Sequence, residues 1–460
     1  MRIFKDKTLS RILSALLIAA LIIGMDWCMG QLLEPISYAT CFNRDIKELE
    51  ESGTSADVVF IGASRVLRGF VPKVFEDNWG VNCVINAGTP GQPICATYYE
   101  LKDMIERMHP DRVYIGVTID RLLDENEDSL QLRLSVFDRL SLKNKLLMTL
   151  NCFSSKEAVY FFKSYRYNDQ LSLERIKTNL EAKTELKETG NYVRAGNLDQ
   201  YANKGFVYNS YSCASGTISI KGKSSFSEDK VSPDKLKYLD ACVELCKKNN
   251  IDVALVSGVT TVMRMYLCEG YQDADDYYRE YAEENGIKYY NLNYMKDREM
   301  LLPDELMVDY NHTNGEGATV ASKFFAEVIK KEENGEDISE YFYANIDEFK
   351  KTVKRIVAVG IDAFPDEEQE NLLHINITSL QNDDVHPMYR VLIREQSEEE
   401  YTVAQDWTNE RELEIEIGDA TWYLIKIEAV AEDPSIGTAS HEYVYEAGQN
   451  YILYDTSYVL

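Results

Sequence analysis

The chain has 460 residues, 45% of them hydrophobic and 27% charged, which excludes a fibrous or wholly disordered protein. Lysine and arginine total 49 against 77 acidic residues, so the formal net charge is −28. Such an acidic surface repels phosphate backbones, and we therefore expect no nucleic-acid partner. At roughly 100–200 residues per domain, the length predicts two or three domains.

The amino terminus predicts a membrane anchor. A basic tail, residues 1–11, precedes an apolar segment, residues 12–33, in which Asp26 is the only charged side chain. This order is typical of an export signal or a signal anchor whose basic end stays in the cytoplasm. No small-x-small cleavage site follows at the usual distance, which favours an uncleaved single-pass anchor over a secreted protein. In both cases we expect the rest of the chain outside the cytoplasm.

Apolar strand patterns and helical patterns alternate between residues 55 and 332. Runs rich in β-branched and apolar residues predict five strands, at residues 57–61, 81–85, 112–117, 251–256 and 287–290. Helical spacing predicts helices at residues 94–108, 236–248, 275–284 and 317–331. The alternation predicts an α/β domain: a flavodoxin-like three-layer sandwich with a five-stranded parallel sheet. In such sheets, ligands bind beyond the carboxyl ends of the strands.

Two further regions interrupt or follow this domain. Residues 121–233 form an insertion without clear period, apart from a helical pattern at 171–187, and it is either a lid over the site or a peripheral addition. Residues 333–347 predict a charged linker. Residues 348–460 alternate polar and apolar side chains, which predicts a carboxyl-terminal β-sandwich domain. Trp407 and Trp422 there belong either to its core or to a carbohydrate-binding face.

The nine cysteines predict neither a metal site nor a dense disulfide framework. Cys242 and Cys246 are four residues apart on a predicted helix, but no histidine or second cysteine pair accompanies them. We therefore expect no metal and no cofactor, and the pairing of the cysteines stays open.

Ser64 is the candidate nucleophile. It follows the first strand in Gly62-Ala63-Ser64-Arg65, on a strand-to-helix turn that would project its hydroxyl from the edge of the sheet. Glycine-x-serine is a common sequence, and the alternative is that Ser64 is a helix N-cap.

His312 is the candidate base for Ser64. It follows the fifth strand, and Asp309, three residues earlier, can fix the tautomer of its imidazole. The same spacing recurs at Asp383 and His386, but inside the β-patterned region. Of the five histidines, only His312 is placed at the carboxyl edge of the predicted sheet, beside Ser64.

These motifs resemble the blocks of the SGNH (GDSL-type) hydrolase superfamily, over roughly residues 55–332. Residues 62–64 resemble the first block, residues 85–91 the second and residues 309–312 the last, in the family's order. The resemblance implies that Ser64 is the nucleophile and that His312 and Asp309 complete a triad. It also implies an oxyanion hole made by the N–H groups of Ser64 and Gly91, with Gly88 as the fallback.

The chain departs from this family after the third strand, where the family's third block supplies an asparagine to the oxyanion hole. Here the sequence is Val117-Thr118-Ile119-Asp120, and an ionised Asp120 would repel a developing oxyanion. Losing one such donor typically costs about 3 kcal/mol. We expect Thr118, Arg65 or Asn86 to substitute; otherwise turnover is low.

With the anchor and the insertion, the chain is similar to the branch that holds the D-alanyl transfer protein of teichoic acid and alginate O-acetylation proteins. This resemblance implies an extracytoplasmic, membrane-anchored serine O-acyl esterase or acyltransferase acting on envelope polysaccharide or other carbohydrate esters, with a membrane acyltransferase as candidate partner. The alternative is a catalytically decayed surface protein that binds glycans. The missing asparagine favours the alternative, and the retained triad opposes it.

Overall fold

The computed structural model describes residues 7–123, 129–189, 199–213, 220, 224–369, 371–418, 420–432, 437–447 and 452–455. Its α-helices are α1 (Lys7–Leu33), α2 (Tyr38–Ser52), α3 (Ser64–Gly69), α4 (Pro72–Trp79), α5 (Ile94–Met108), α6 (Leu130–Leu134), α7 (Leu142–Cys152), α8 (Lys163–Arg166), α9 (Leu173–Thr189), α10 (Pro233–Lys248), α11 (Val262–Leu267), α12 (Tyr271–Glu284), α13 (Arg298–Leu301), α14 (Gly315–Glu333) and α15 (Ile346–Lys350).

The strands fall into a first group within the α/β region and a second group near the carboxyl terminus. They are β1 (Val58–Gly62), β2 (Val84–Gly88), β3 (Arg112–Val117), β4 (Asp199–Asn203), β5 (Phe206–Asn209), β6 (Ser224–Ser225), β7 (Asp252–Ser257), β8 (Cys268–Glu269), β9 (Lys288–Asn291), β10 (Ile356–Pro365), β11 (Leu372–Gln381), β12 (Pro387–Glu395), β13 (Thr402–Thr408), β14 (Glu412–Glu416), β15 (Trp422–Ala431), β16 (Thr438–Glu446) and β17 (Ile452–Asp455).

One parallel sheet has the strand order β2-β1-β3-β7-β9, which confirms the predicted five-stranded α/β fold. Four of its strands lie within one residue of their predicted bounds, but β2 begins and ends three residues later than expected. The reason is that Asn86, Ala87 and Gly88 pair with β1 instead of forming a turn. Gly88 also lets α3 approach, because a β-carbon there would lie 2.4 Å from the Leu67 nitrogen.

Helices cover both faces of this sheet, as a three-layer sandwich requires. Val59 and Ile61 of β1 pack in a core with residues of α2, α5, α10 and α12. Val58 and Phe60 point to the opposite face and pack with residues of α4 and α14. The phenyl rings of Phe60 and Phe70 stack there, with centroids 4.5 Å apart.

The carboxyl-terminal region contains two antiparallel sheets, with strand orders β10-β11-β14 and β13-β12-β15-β16-β17. Their inward side chains form one shared core, in which Ile375 and Ile425 are fully buried. This confirms the predicted β-sandwich. Trp407 on β13 is 38% exposed and is therefore not a core residue, whereas Trp422 at the start of β15 is half-buried.

The first helix is long and apolar enough to cross a membrane. The stretch Ser10–Leu33 has a mean hydropathy of 2.2, and its most apolar window is not buried against the rest of the protein. By length and composition, the same helix also satisfies the requirements of a signal sequence.

The insertion packs against the α/β domain over a wide area. Its hairpin β4–β5 lies along the free edge of β2, where the Asn86 N–H donates to the Lys204 carbonyl at 2.8 Å. Gly205 in the turn has φ +94°, and a β-carbon there would lie 1.7 Å from the Asn86 carbonyl oxygen. The hairpin can therefore dock only with glycine at this position.

None of the nine cysteines, all of which lie in the described residues, forms a disulfide. Cys242 and Cys246 are core residues of α10, and burial raises the pKa of Cys246 to about 12. Among the residues that the structure describes, no group of three or more His, Cys, Asp and Glu side chains could hold a metal ion.

Candidate active site

The turn from β1 into α3 positions Ser64 at the carboxyl edge of the sheet. β1 ends at Gly62, Ala63 is the extended N-cap residue, and Ser64 is the first residue of α3. The alternative role of Ser64 as the N-cap is therefore wrong. Gly62 has φ +154°, and a β-carbon there would lie 3.1 Å from the α-carbon of Gly116. Glycine thus permits the close approach of β1 and β3 just below Ser64.

Ser64, His312 and Asp309 form a continuous hydrogen-bonded chain, although 248 residues separate the serine from the histidine. The distance from His312 Nε2 to Ser64 Oγ is 2.7 Å. His312 Nδ1 lies 2.9 Å from both carboxylate oxygens of Asp309. This is the geometry in which an imidazole can take a proton from a serine hydroxyl while a carboxylate holds its other nitrogen.

Asp309 is held in its ionised form. Burial raises the pKa of its carboxyl, but the His312 hydrogen bond and charge and the Asn311 N–H outweigh that effect, so the pKa lies below its ordinary value. The Asn311 N–H donates to Asp309 Oδ1 at 2.7 Å, and the His312 N–H donates to the same atom at 3.0 Å. A charged carboxylate is the state that stabilises an imidazolium.

Two threonines that sequence reasoning missed fix the loop that carries His312. The hydroxyls of Thr260 and Thr261 donate to the Tyr310 carbonyl, at 3.0 and 2.8 Å. Thr260 is itself held by Asn293, whose Oδ1 accepts the Thr260 N–H at 2.8 Å. Their position in the sequence could have indicated this role, because both threonines follow the fourth predicted strand and so lie at the same edge of the sheet as Ser64.

Gly91, but not Gly88, keeps an N–H group for an oxyanion. The Gly88 N–H donates to Asn86 Oδ1 at 3.0 Å, so the fallback donor is already used. The Gly91 N–H donates to no other group of the described residues. Gly91 has φ +59°, and a β-carbon there would lie 2.4 Å from Leu132 Cδ2.

Asn86 supports α3 and is not available as an oxyanion donor. Its amide nitrogen donates to the carbonyls of Val66, at 2.7 Å, and Phe70, at 2.8 Å. The side chain is fully buried. Asn86 was a candidate substitute for the missing asparagine. Its amide protons are used to position α3, the helix that begins with Ser64, so Asn86 cannot donate to an oxyanion.

Thr118 and Asp120 form a local pair after β3. The Thr118 hydroxyl donates its only proton to Asp120 Oδ1 at 2.9 Å. The other carboxylate oxygen lies 3.6 Å from the guanidinium of Arg264. Burial raises the pKa of Asp120, whereas Arg65, Thr118 and Arg264 lower it, and the resulting pKa is below the usual value. Asp120 is therefore ionised, and Thr118 is committed to it.

Arg65 is the remaining candidate substitute. One guanidinium nitrogen donates to Asn311 Oδ1 at 2.9 Å, which connects the residue after the nucleophile to the loop of the base. A guanidinium has five N–H donors, so this bond leaves others for a negatively charged oxygen.

Part of the insertion lies against this site. Leu132 of α6 packs over Gly91, and the Ser135 hydroxyl lies 3.1 Å from Thr89 Oγ1 in the same loop. On the other side, the Cys213 N–H donates to the Met307 carbonyl at 3.0 Å, just before Asp309. Both ends of the insertion therefore reach the loops that surround Ser64.

The other histidines do not take part. His109 ends α5 with φ +47°, at the opposite edge of the sheet. His374 lies in the β-sandwich, where its Nε2 is 2.8 Å from Asp366. No hydrogen bond joins Asp383 to His386 among the described residues, so their sequence spacing has no counterpart in the structure.

Comparison with known proteins gives weak likenesses. No protein-family model and no curated protein matches the chain. A lipolytic protein of the G-D-S-L family from Desulfitobacterium hafniense is 11% identical, with 59% of this chain and 98% of that chain covered and a TM-score of 0.29. A GDSL-like lipase from Bacteroides thetaiotaomicron is 14% identical, with coverages of 64% and 100% and a TM-score of 0.31.

A two-domain esterase active on acetylated mannans is 12% identical. The match covers 89% of this chain and 86% of that one, with a TM-score of 0.26. TM-scores this low carry no argument about function.

Proposed function

We propose that the protein is an SGNH-type serine hydrolase that cleaves or transfers O-acyl groups. The observation that carries the proposal is the 2.7 Å contact between His312 Nε2 and Ser64 Oγ, with Asp309 on the other imidazole nitrogen. A serine needs an adjacent base to become a nucleophile, and a base needs a third group to hold its tautomer. All three groups lie at one edge of the sheet.

In the proposed reaction, Ser64 Oγ attacks the acyl carbonyl carbon while His312 Nε2 takes the hydroxyl proton. Asp309 stabilises the resulting imidazolium. The tetrahedral intermediate then collapses, and His312 returns the proton to the leaving alcohol. Water hydrolyses the acyl-enzyme, or a sugar hydroxyl accepts the acyl group; both routes use the same residues.

The negatively charged oxygen of the tetrahedral intermediate needs hydrogen-bond donors to stabilise it. The N–H groups of Ser64 and Gly91 are two, and we assign the third to Arg65 because Asn86, Gly88 and Thr118 are committed elsewhere. Arg65 also offsets the charge of Asp120, since the two lie close enough to shift the Asp120 pKa.

We propose an envelope location and a carbohydrate ester as substrate. α1 is suited to anchor the protein, with its basic end in the cytoplasm and the α/β domain outside the cell. A membrane acyltransferase is the candidate partner for transfer. The exposed Trp407 supports a glycan-binding role for the β-sandwich, because aromatic rings stack on sugars.

The second candidate is a catalytically decayed glycan-binding surface protein. The observation that favours it is the Thr118–Asp120 pair, an ionised carboxylate after β3, where the resemblance to SGNH hydrolases implies an asparagine.

An esterase assay separates these two functions. The full chain, in detergent, is tested on p-nitrophenyl acetate and on an acetylated polysaccharide. Ser64→Ala should lose at least about 10³-fold in kcat/KM, whereas Ser212→Ala, an exposed serine bonded to the Glu305 carbonyl, should keep full activity. Equal activity of Ser64→Ala and the native chain would exclude the proposed nucleophile. No activity of the native chain on either ester would favour the glycan-binding protein.

A further inference from the structure

Exposed apolar side chains are concentrated in the insertion. Of the twelve large exposed apolar side chains that follow α1 in the described residues, eight lie between Leu142 and Leu180. Leu173 is 89% exposed and Leu171 is 63% exposed. Scattered exposed leucines are ordinary, but a group of this density is typical of a surface that contacts a lipid or a protein.

This part of the insertion meets α1 where the uninterrupted exposed stretch of that helix ends. Side chains from Arg11 to Met25 are all exposed, and Asp26 is the first that the protein partly covers. The Asp26 carboxylate accepts the backbone N–H groups of Lys163, at 3.0 Å, and Ser164, at 2.8 Å. The start of α8 therefore lies at the level where a helix crossing the bilayer would leave it.

Further contacts fix the insertion to the same end of α1. The Asn179 amide donates to the Leu33 carbonyl at 3.0 Å, and the Lys163 ammonium pairs with the Glu34 carboxylate. A β-carbon on Gly30 would lie 2.8 Å from the Lys163 side chain, so α1 and α8 are in close contact there. The insertion and the end of α1 thus keep one relative position.

Composition also distinguishes this part of the chain. Residues 141–189 contain nine basic and six acidic side chains, although the whole protein has a net charge of −28. Tyr165, 46% exposed, follows directly on Ser164, and its ring packs edge-on against Tyr160 at 5.0 Å. Basic residues attract anionic headgroups, and tyrosines favour the membrane–water interface.

We propose that residues 141–189 rest on the bilayer that α1 crosses, with Tyr165, Leu171 and Leu173 in the headgroup region of an anionic leaflet. The inference rests on the membrane anchoring proposed above, and adds a second contact with the same membrane. α6 packs over Gly91, and Arg133 of α6 pairs with Glu157 of this segment. The membrane contact would therefore hold the opening of the Ser64 site at a fixed height above the lipid.

Fluorescence quenching by brominated lipid tests the proposal. The full chain is reconstituted in vesicles of equal parts phosphatidylcholine and phosphatidylglycerol, with and without brominated acyl chains. Trp27→Phe removes the tryptophan of α1, and Leu173→Trp is then added to that variant. The matched control adds Met300→Trp instead, at a 73% exposed apolar position of α13 far from α1 in sequence. Neither site is buried, so both variants should fold.

We expect brominated lipid to lower the added Leu173→Trp emission about two-fold and to leave the Met300→Trp emission unchanged. No quenching at Leu173→Trp, together with quenching of Trp27 in the native chain, would overturn the membrane contact and leave this surface to a protein partner. No quenching of Trp27 would overturn the anchor, and the membrane contact with it. Neither result bears on the esterase assay, so the two proposals fail separately.

Discussion

The two halves of the candidate site differ in how completely their groups are prepared. In the half that moves the proton, Ser64, His312 and Asp309 each already have their partner, at 2.7 to 2.9 Å. In the half that would bind the oxyanion, three of the predicted donors, namely Asn86, Gly88 and Thr118, already donate to other groups of the protein. A sequence motif thus indicates which residue types are present, whereas the hydrogen-bond partner of each N–H or O–H group determines which donors can bind an oxyanion.

Removing the base should have the largest effect. His312→Ala leaves Ser64 without a proton acceptor, so we expect kcat/KM to fall by at least about 10³-fold. His109→Ala, at the opposite edge of the sheet, is the control and should keep activity. Ester hydrolysis by purified protein is the measurement. Full activity of His312→Ala would show that His312 is not the base for Ser64.

A substitution in the Gly91 loop should have the second-largest effect on activity. In Gly91→Ala the new methyl group would meet Leu132, and a φ of +59° is strained for alanine, so the N–H moves. We expect a loss of about 10²-fold in kcat. Gly286→Ala is the matched control, because Gly286 has φ +60° with nothing within 4 Å. Gly286→Ala should lower the free energy of unfolding by about 1 kcal/mol and leave the activity unchanged. Equal kcat in both variants would remove Gly91 from the oxyanion hole.

Arg65 provides the sharpest test of the oxyanion half. Arg65→Gln should lower kcat by about 30-fold with little change in KM, because the donor acts on the transition state. Asn311→Ala breaks the Arg65–Asn311 hydrogen bond but keeps the guanidinium. If both variants lose the same activity, Arg65 acts only by holding the His312 loop.

Asp120 should have a smaller effect, of the opposite sign. Its pKa is lowered, so the carboxylate is charged at neutral pH. Asp120→Asn removes a negative charge near the developing oxyanion, and we expect kcat to rise about three-fold. A fall in kcat on the same ester would mean that the carboxylate positions Arg65 or Arg264, and the charge argument would be wrong.

A buried acid near the Gly91 loop should affect stability and have the smallest effect on turnover. Burial raises the pKa of Glu100 to about 7, although Arg139 lies 3.1 Å away and lowers it. The folded state then binds more protons than the unfolded state between the ordinary pKa and pH 7, so stability should fall as pH rises through this range. Between pH 5 and 8 a shift of this size corresponds to a loss of roughly 2–3 kcal/mol, read from thermal unfolding. Glu100→Gln should reduce that pH dependence, and an unchanged dependence would contradict the assignment.

Much of the fold was predictable because apolar periodicity determines it. α5 begins and ends at the predicted residues, and the parallel sheet follows from the alternation of strands and helices. The shift of β2 was not predictable from composition, because Asn86 and Gly88 are typical turn residues. They are tolerated inside the strand since α3 and a hairpin of the insertion pack directly on them.

The candidate site was likewise predictable only in part. Sequence order and strand position were enough to bring Ser64 and His312 together, since both follow strands of one parallel sheet. The bonds of Asn86 to the carbonyls of α3, and of Thr260 and Thr261 to Tyr310, depend on side-chain directions that no spacing encodes.

The central claim is that Ser64 is a nucleophile activated by His312. A fluorophosphonate probe, which reacts covalently with activated serines, tests it most directly. After labelling of the native chain, peptide mapping by mass spectrometry should find the probe on Ser64, and labelling should disappear in both Ser64→Ala and His312→Ala. Equal labelling of the native chain and Ser64→Ala would contradict the account.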